Sequence, residues 1–337
     1  MEAESQAERD DRLRHGSSFG AAATAYAEHR PGYAEAAVRW ALEPVRAREP
    51  LRVLDLAAGT GKLTATLIRL GADVTAVEPD PAMLTELRRS LGSVTALPGR
   101  AEDIPVPDGS VDAVLVGQAM HWFDLSRAIP EIARVLTPGG VLAALWNVDD
   151  DRTDWVATLA QISKGKANVT LLRWRDSAAR ARQERLAAAG SGLFETPEAG
   201  EFEHRQRRTV DSLVATIATH SNLLVMDEPD RAALLAEVRD FLQARPETSS
   251  GEFVLPMVTA VLRARRTLPG FTGSYGAEPL LARTTSSGVK TMRRCSCSAG
   301  RSASSSSSSA AARPSWYLGW RTDVSGTAAS AANSMSS

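Results

Sequence analysis

The stretch RVLDLAAGTGKLT, residues 52–64, decides the fold. An apolar run halts at Asp55, passes through a corner built from Ala57, Ala58, Gly59, Thr60 and Gly61, and resumes as KLTATLIRL, which reads as a helix. Gly71 then stands where a left-handed residue closes a helix. A buried strand, a tight glycine corner and a helix make half of a βαβ unit.

The same alternation continues on the C-terminal side. DVTAVEP (73–79) is a second strand, and DPAMLTELRRSL (80–91) is a helix with Asp80 as its cap and Pro81 at its first position. A short third strand lies in VTALPGRAED (94–103), and VDAVLVGQAM (111–120) is the fourth. DLSRAIPEIARVL (124–136) is a helix, followed by a turn and fifth strand in TPGGVLAALWN (137–147). Short apolar strands between amphipathic helices predict a mostly parallel sheet covered on both faces.

On the N-terminal side, residues 1–17 are polar and predicted to be disordered. FGAAATAYAEHRPGYAEAAVRWALEPV (19–45) predicts a short helix, a break at Arg30-Pro31-Gly32 and a second helix from about Ala34 to Leu42. Beyond Trp146, residues 149–190 are helical and arginine-rich. The arginines of LLRWRDSAARARQER (171–185) are interspersed with Asp176 and Glu184, which favours a solvated face over a nucleic-acid patch. GEFEHRQRRTV (200–210) alternates like a strand, Thr209 caps a following helix, and residues 252–263 make a last strand. From about residue 267 to 337 the chain is low in complexity, and a disordered tail is expected.

Composition narrows the class. The 337 residues are 43% hydrophobic and 23% charged, with a formal net charge of −1. That balance fits a globular protein and gives no global field toward nucleic acid or an acidic membrane. No apolar run of about 18 residues predicts a membrane span, and the N-terminus lacks a secretory core. A cytoplasmic protein with neither nucleic-acid nor membrane partners is expected. Cys295 and Cys297 fall in the serine-rich tail and form neither a disulfide framework nor a metal set, so no metal is expected.

The corner is where ligand chemistry is expected. Gly59 and Gly61 let the backbone turn sharply and approach a ligand. Glu78 ends the second strand about 20 residues on, where a carboxylate accepts hydrogen bonds from a ribose. A dinucleotide loop would carry a third glycine, yet Lys62, Leu63 and Thr64 follow Gly61. Asp55 would repel a pyrophosphate and attract an ammonium. A nucleoside with an ammonium and no phosphate, S-adenosyl-L-methionine, satisfies both acids. A nicotinamide dinucleotide satisfies one.

VLDLAAGTGKLT, VTAVEPDPAML, LPGRAEDIPVPDGSVDAVLVGQAMHWFD and RVLTPGGVLAALWN resemble, in order and spacing, the successive motifs of class I S-adenosylmethionine-dependent methyltransferases. Within that superfamily, FGAAATAYAEHRPGY and GQAMHWFD resemble a small-molecule branch that includes trans-aconitate methyltransferase-like proteins. The resemblance implies a doubly wound, Rossmann-like sheet of seven strands in a domain spanning 18–266, with lid elements at 18–44 and 149–190. It also assigns roles. Asp55, Ala57 and Gly59 would line the methionine end of the donor, with Gly61 in the same loop; Ala57 stands where many members carry glycine. Glu78 would hold the ribose, Pro79 and Met83 would border the adenine, and Glu102 and Asp103 would face its amino group. Gln118 and Ala119 would follow the fourth strand toward the donor. His121 is the candidate general base, Trp122 would pack near the sulfonium, and Tyr26, Arg30 and Tyr33 would belong to the lid, with Arg30 as a fork for a substrate carboxylate. Each has a plainer reading: a core aromatic, a solvated carboxylate pair, a helix-end arginine. The expected reaction is methyl transfer to a small-molecule acceptor. The rival readings are a nicotinamide-dependent oxidoreductase and a donor-binding protein without catalysis.

Overall fold

Strand β1 (Arg52–Leu56) is buried on both faces, which places it inside the sheet. Its neighbours follow from the chain order. In this computed structural model, β2 (Asp73–Glu78), β3 (Thr95–Pro98), β4 (Val111–Gly117) and β5 (Leu136–Asp149) are parallel to it, in the order β3-β2-β1-β4-β5. β6 (Glu198–Arg208) and β7 (Phe253–Arg265) complete the seven expected strands, with β7 lying antiparallel between β5 and β6. The structure describes residue 20 and residues 23–164, 179–268, 281–284 and 290–293.

Strand order reverses between β1 and β4, so a crevice opens outside their carboxyl ends. The expected turn before β5 is part of the strand instead. The register against β4 slips between Val111 and Ala113, and Gly139, at φ 70°, lies in the β5 stretch that absorbs the slip. Two short strands, β8 (Leu281–Thr284) and β9 (Lys290–Arg293), pair with each other, and β9 extends the sheet at β6. They fall within the segment expected to be a tail and cover an otherwise open strand edge. By contacts the chain divides into Met1–Arg294 and Cys295–Ser337; the second unit lies outside the described residues, as do residues 1–19 and both cysteines.

One face of the sheet packs Leu54, Leu56, Val114, Val116, Leu142 and Ala144 against α5 (Leu125–Val135). The opposite face packs Val53, Ala113, Leu115, Ala143 and Leu145 against α2 (Glu35–Leu42) and α3 (Lys62–Arg69). α1 (Ala23–His29) precedes them, and the break between α1 and α2 falls where Pro31 and Gly32 predicted it. α4 (Pro81–Ser90) starts as expected: Asp80 Oδ1 accepts from Ala82 N at 2.9 Å and Met83 N at 3.0 Å.

The insertion after β5 supplies α6 (Asp154–Lys164) and α7 (Ala179–Ala189), with residues 165–178 between them outside the described residues. Residues 171–178 of the arginine-rich stretch lie outside the description; Arg180, Arg182 and Arg185 fall on α7, where exposed Arg180 pairs with Glu184 at 2.9 Å. α8 (Val210–Ala218) opens with the predicted Thr209 cap, which forms a reciprocal box with Ser212. After a single turn, α9 (Ser221–Leu224), comes α10 (Glu228–Gln243). α6, α8 and α10 share a third apolar cluster on Phe253, Leu255 and Met257 of β7.

Candidate active site

Asp55 ends the apolar part of β1 on the face toward α3, and it is fully buried. The first turn of α3 folds back over it, so Thr64 Oγ1 donates to Asp55 Oδ2 at 2.5 Å. The other oxygen, Oδ1, is buried with no partner. Burial pushes the carboxyl up to about 7, the Thr64 hydrogen bonds pull it down, and nearby Glu78 adds to the rise. A half-satisfied buried carboxylate is costly unless a donor completes it.

The corner follows. Ala57, Gly59 and Gly61 all have positive φ, at 58°, 57° and 86°. The loop is stitched to β2 by Ala58 N donating to Val77 O at 3.1 Å. A Cβ on Gly61 would stand 2.8 Å from Leu91 Cδ1, a side-chain end that can shift, so it is the φ of 86° that calls for glycine there. Thr60 Oγ1 is a second buried oxygen without a partner.

Glu78, at the end of β2, is buried to 6% exposure. Its Oε2 accepts from Gly59 N at 2.8 Å and its Oε1 from Asp80 N at 2.9 Å. Burial raises its pKa, and these two backbone donors oppose the rise. Each oxygen keeps a second lone pair for a hydroxyl. Pro79 beside it is exposed, and Met83 on α4 is buried.

The acidic pair after β3 divides. Glu102 Oε1 accepts from Asp124 N at 2.9 Å, which holds the start of α5, while Asp103 is exposed. At the end of β4, Gln118 also has positive φ, 60°, and its Nε2 donates to Asn147 O at 3.0 Å. Ala119 is buried and leads into a 3-10 turn, Met120–Trp122.

His121 sits on that turn. Its ring lies 4.4 Å from the Trp122 ring, and its Nδ1 faces Trp146 Nε1 at 3.5 Å. The residue as a whole is solvent-exposed, with its ring set against Trp122 and Trp146. Loss of hydration, followed by the charge of Arg182 on α7, lowers its pKa to about 4. The ring is neutral near pH 7, and a Trp N–H aimed at Nδ1 leaves the proton on Nε2. The remaining nitrogen is then a donor, which weakens the base reading and favours orientation.

The α1–α2 segment roofs these groups. Tyr33 packs on Gly117 at the end of β4, where a Cβ would collide with its hydroxyl. Burial raises the Tyr33 hydroxyl pKa, with Tyr26 and Asp55 adding to it. Arg30 lies 4.9 Å from the Tyr26 ring centre, but its Nε and Nη2 donate to Thr219 Oγ1 and O, both at 2.9 Å. Those bonds use two positions of the guanidinium fork expected for a substrate.

Asn147, not foreseen from the sequence, pins the roof. Its Nδ2 donates to Gly32 O at 3.0 Å, and its Oδ1 accepts from Thr259 Oγ1, which in turn accepts from Ala34 N. Thr60, Thr64 and Thr219 were also missed. The nine-residue offset from Asp55 to Thr64 was the one local signal available, because it spans one loop and one helical turn.

Among the described residues, no group of three His, Cys, Asp or Glu side chains is placed to hold a metal. No described helix is long and apolar enough to cross a membrane.

A family profile described as "Methyltransferase domain" matches residues 54–144. An uncharacterized methyltransferase of Mycobacterium tuberculosis (strain ATCC 25618 / H37Rv) is 42% identical over 248 residues, covering 73% of this chain and 95% of that protein. An uncharacterized methyltransferase of Schizosaccharomyces pombe is 37% identical over 138 residues, 41% of this chain and 55% of that protein. A solved protein of Anaeromyxobacter dehalogenans, provisionally named a type II methyltransferase, is 28% identical, with a TM-score of 0.49 over 71% of this chain and 99% of that one.

Proposed function

The chain belongs to the class I S-adenosylmethionine-dependent methyltransferases, and we propose that it methylates a small carboxylic acid in the crevice above β1 and β4. Membership makes it an enzyme of methyl transfer and disfavours the oxidoreductase and non-catalytic readings. The acceptor class, the trans-aconitate methyltransferase-like branch and the residue roles are our reading.

The observation that carries it is Asp55 Oδ1, a buried oxygen that lacks a donor beside a glycine corner. An α-ammonium is the complement of that atom. Glu78 offers one free lone pair on each oxygen to vicinal ribose hydroxyls while it holds Gly59. Pro79 and Met83 flank the adenine position, and exposed Asp103 faces its amino group. Ala57 and Gly59 line the methionine end. The residues present therefore fit S-adenosyl-L-methionine.

When bound, that molecule supplies a methyl group already activated by a positive sulfur. The chain mainly has to align the acceptor and exclude water, and alignment alone can contribute roughly 7–11 kcal/mol. Tyr26, Tyr33 and the α1–α2 turn close the site from one side, with the insertion elements α6 and α7 as its other lid. Neutral His121 donates from Nε2 to an acceptor oxygen and fixes its direction. Trp122 presents an aromatic face, favourable toward a cation. A carboxylate acceptor is ionised at neutral pH and needs no base, which agrees with a histidine poised as a donor.

Calorimetric titration with S-adenosylhomocysteine and with NAD, followed by incubation of carboxylic acids, phenols and amines with labelled donor, tests this reading. We expect S-adenosylhomocysteine binding and label on a carboxylic acid. Preference for NAD, or label only on amines, would overturn it.

A further inference from the structure

Two cations that the donor-site reading leaves unassigned stand on the same sheet edge. β6 runs parallel to β5, because each is antiparallel to β7, so Arg208 at its end shares the edge with the carboxyl ends of β1 and β4. Arg208 alternates in phase with Phe202, which packs on Trp40 of α2, so its side chain lies on the α1–α3 face. Lys62 opens α3 on that face, directly after Gly61.

The two side chains feel each other. Burial and the charge of Arg208 lower the pKa of the half-buried Lys62 ammonium. Arg208 is itself half-buried. Its Nη2 donates to His29 O at 2.9 Å and to Gln206 Oε1 at 2.6 Å, while its Nε is buried and has no partner. Among the described residues neither cation has an ion-pair partner, and Asp149 at the end of β5 is the acid that favours the charge on Arg208. Two like charges, each partly stripped of water and one of them carrying an unpartnered N–H, are unfavourable unless an anion joins them.

We propose that Lys62 and Arg208 form a carboxylate clamp at the roof side of the crevice, with Arg208 Nε as its directional donor. The clamp rests on the donor-site reading for its place in the enzyme. Its carboxylate comes from the acceptor or from the methionyl end of the donor. The Arg208–His29 bond ties the clamp to the last residue of α1, so occupancy of the clamp also steadies the roof.

The test uses the full chain, with Arg208→Gln and Lys62→Gln, and three probes followed by calorimetry. 5′-Methylthioadenosine has the nucleoside without the amino acid, S-adenosylhomocysteine has both, and malonate is a free carboxylate titrated with and without S-adenosylhomocysteine. We expect both variants to bind methylthioadenosine within about twofold of the parent and to lose about tenfold or more toward one carboxylate probe. Loss toward S-adenosylhomocysteine assigns the clamp to the donor, and loss toward malonate assigns it to the acceptor. Unchanged binding of both carboxylate probes overturns the clamp, and so does parallel loss of methylthioadenosine. If the parent binds malonate through these residues but no methylthioadenosine, the donor-site reading falls and the clamp stands.

Discussion

Glu78 Oε2 accepts the Gly59 N–H at 2.8 Å, so the acid at the end of β2 fixes the glycine corner after β1. Its Oε1 takes the Asp80 N–H, at the residue that caps α4. One buried carboxylate thus shapes the corner, the start of a helix and the proposed ribose contact. Glu78→Ala leaves two backbone donors unsatisfied, at about 1–3 kcal/mol each. We expect a lower melting temperature together with at least about tenfold weaker S-adenosylhomocysteine binding. A folded variant that binds like the parent would remove Glu78 from the ribose.

Asp55 makes the site sensitive to pH. Its folded pKa, about 7 against an ordinary 3.8, means that the folded chain holds the proton more tightly than the unfolded chain. Its contribution to stability is therefore complete below the ordinary value and is lost as pH rises toward about 7. Asp55→Asn, which keeps an acceptor for Thr64, should melt above the parent at pH 8, with the gap closing toward pH 5. An ammonium needs the ionised acid, so parent affinity for S-adenosylhomocysteine should rise from pH 6 to 8 while the variant stays flat. Identical pH dependence in the two proteins would refute the assignment.

Ala57 stands at φ 58°, a left-handed conformation that costs a residue with a Cβ about 1–2 kcal/mol. Glycine removes that strain and adds about 0.5–1 kcal/mol of unfolded-state entropy. Ala57→Gly should therefore raise the melting temperature by roughly 1–3 °C, and Ala57→Val should lower it by more. Calorimetric melting of the three proteins decides this, and a destabilised glycine variant would contradict the strain account.

Asp112, at the start of β4, is 1% exposed and lies at the opposite end of the sheet from the crevice. Burial opposes its charge, but hydrogen bonds from Arg52 and Arg48 outweigh that and hold its pKa below the ordinary value. Arg52 N also donates to it, at 3.0 Å, which fixes β1 against β4. Both arginines are partly solvated, so Asp112→Asn should cost about 2 kcal/mol. For a depressed carboxyl the stability is present above the ordinary value and is lost as pH falls through the folded one. The variant should melt below the parent at pH 7, with the difference shrinking below about pH 4, at unchanged S-adenosylhomocysteine affinity.

Much of this framework was legible because it rests on local rules. The strand–corner–helix of residues 52–69, the Asp80 and Thr209 caps and the break at Pro31 each depend on residues within one or two turns. The partners of the site residues were not legible. Arg30 meets Thr219 across 189 positions, and Asn147 meets Gly32 across 115. A side chain's chemistry is read from its type, but whether its donors are already used depends on packing between distant elements. That difference separates Arg30, tied inside the roof, from Lys62, which stood in the glycine-corner motif without a role, and Arg208, which stood in no motif; both reach the same sheet edge.

His121 is where a structural detail chooses between two chemistries. Its Nδ1 faces the Trp146 N–H at 3.5 Å, and its pKa is lowered to about 4 by loss of hydration and by Arg182. A general base would have to take a proton on the Nε2 side, which already carries one, and removing it would cost about 10²–10⁴-fold in rate. An orienting donor can be replaced by another N–H. We therefore expect His121→Gln to keep its turnover within about tenfold of the parent, with the larger change in KM for the acceptor, and His121→Ala to lose more. At saturating donor, so that Asp55 is already paired, the parent's kcat should show no histidine titration between pH 6 and 8. A limb in that range that disappears in His121→Gln, with a loss of about 10² or more in kcat, would restore the base and displace the orienting role.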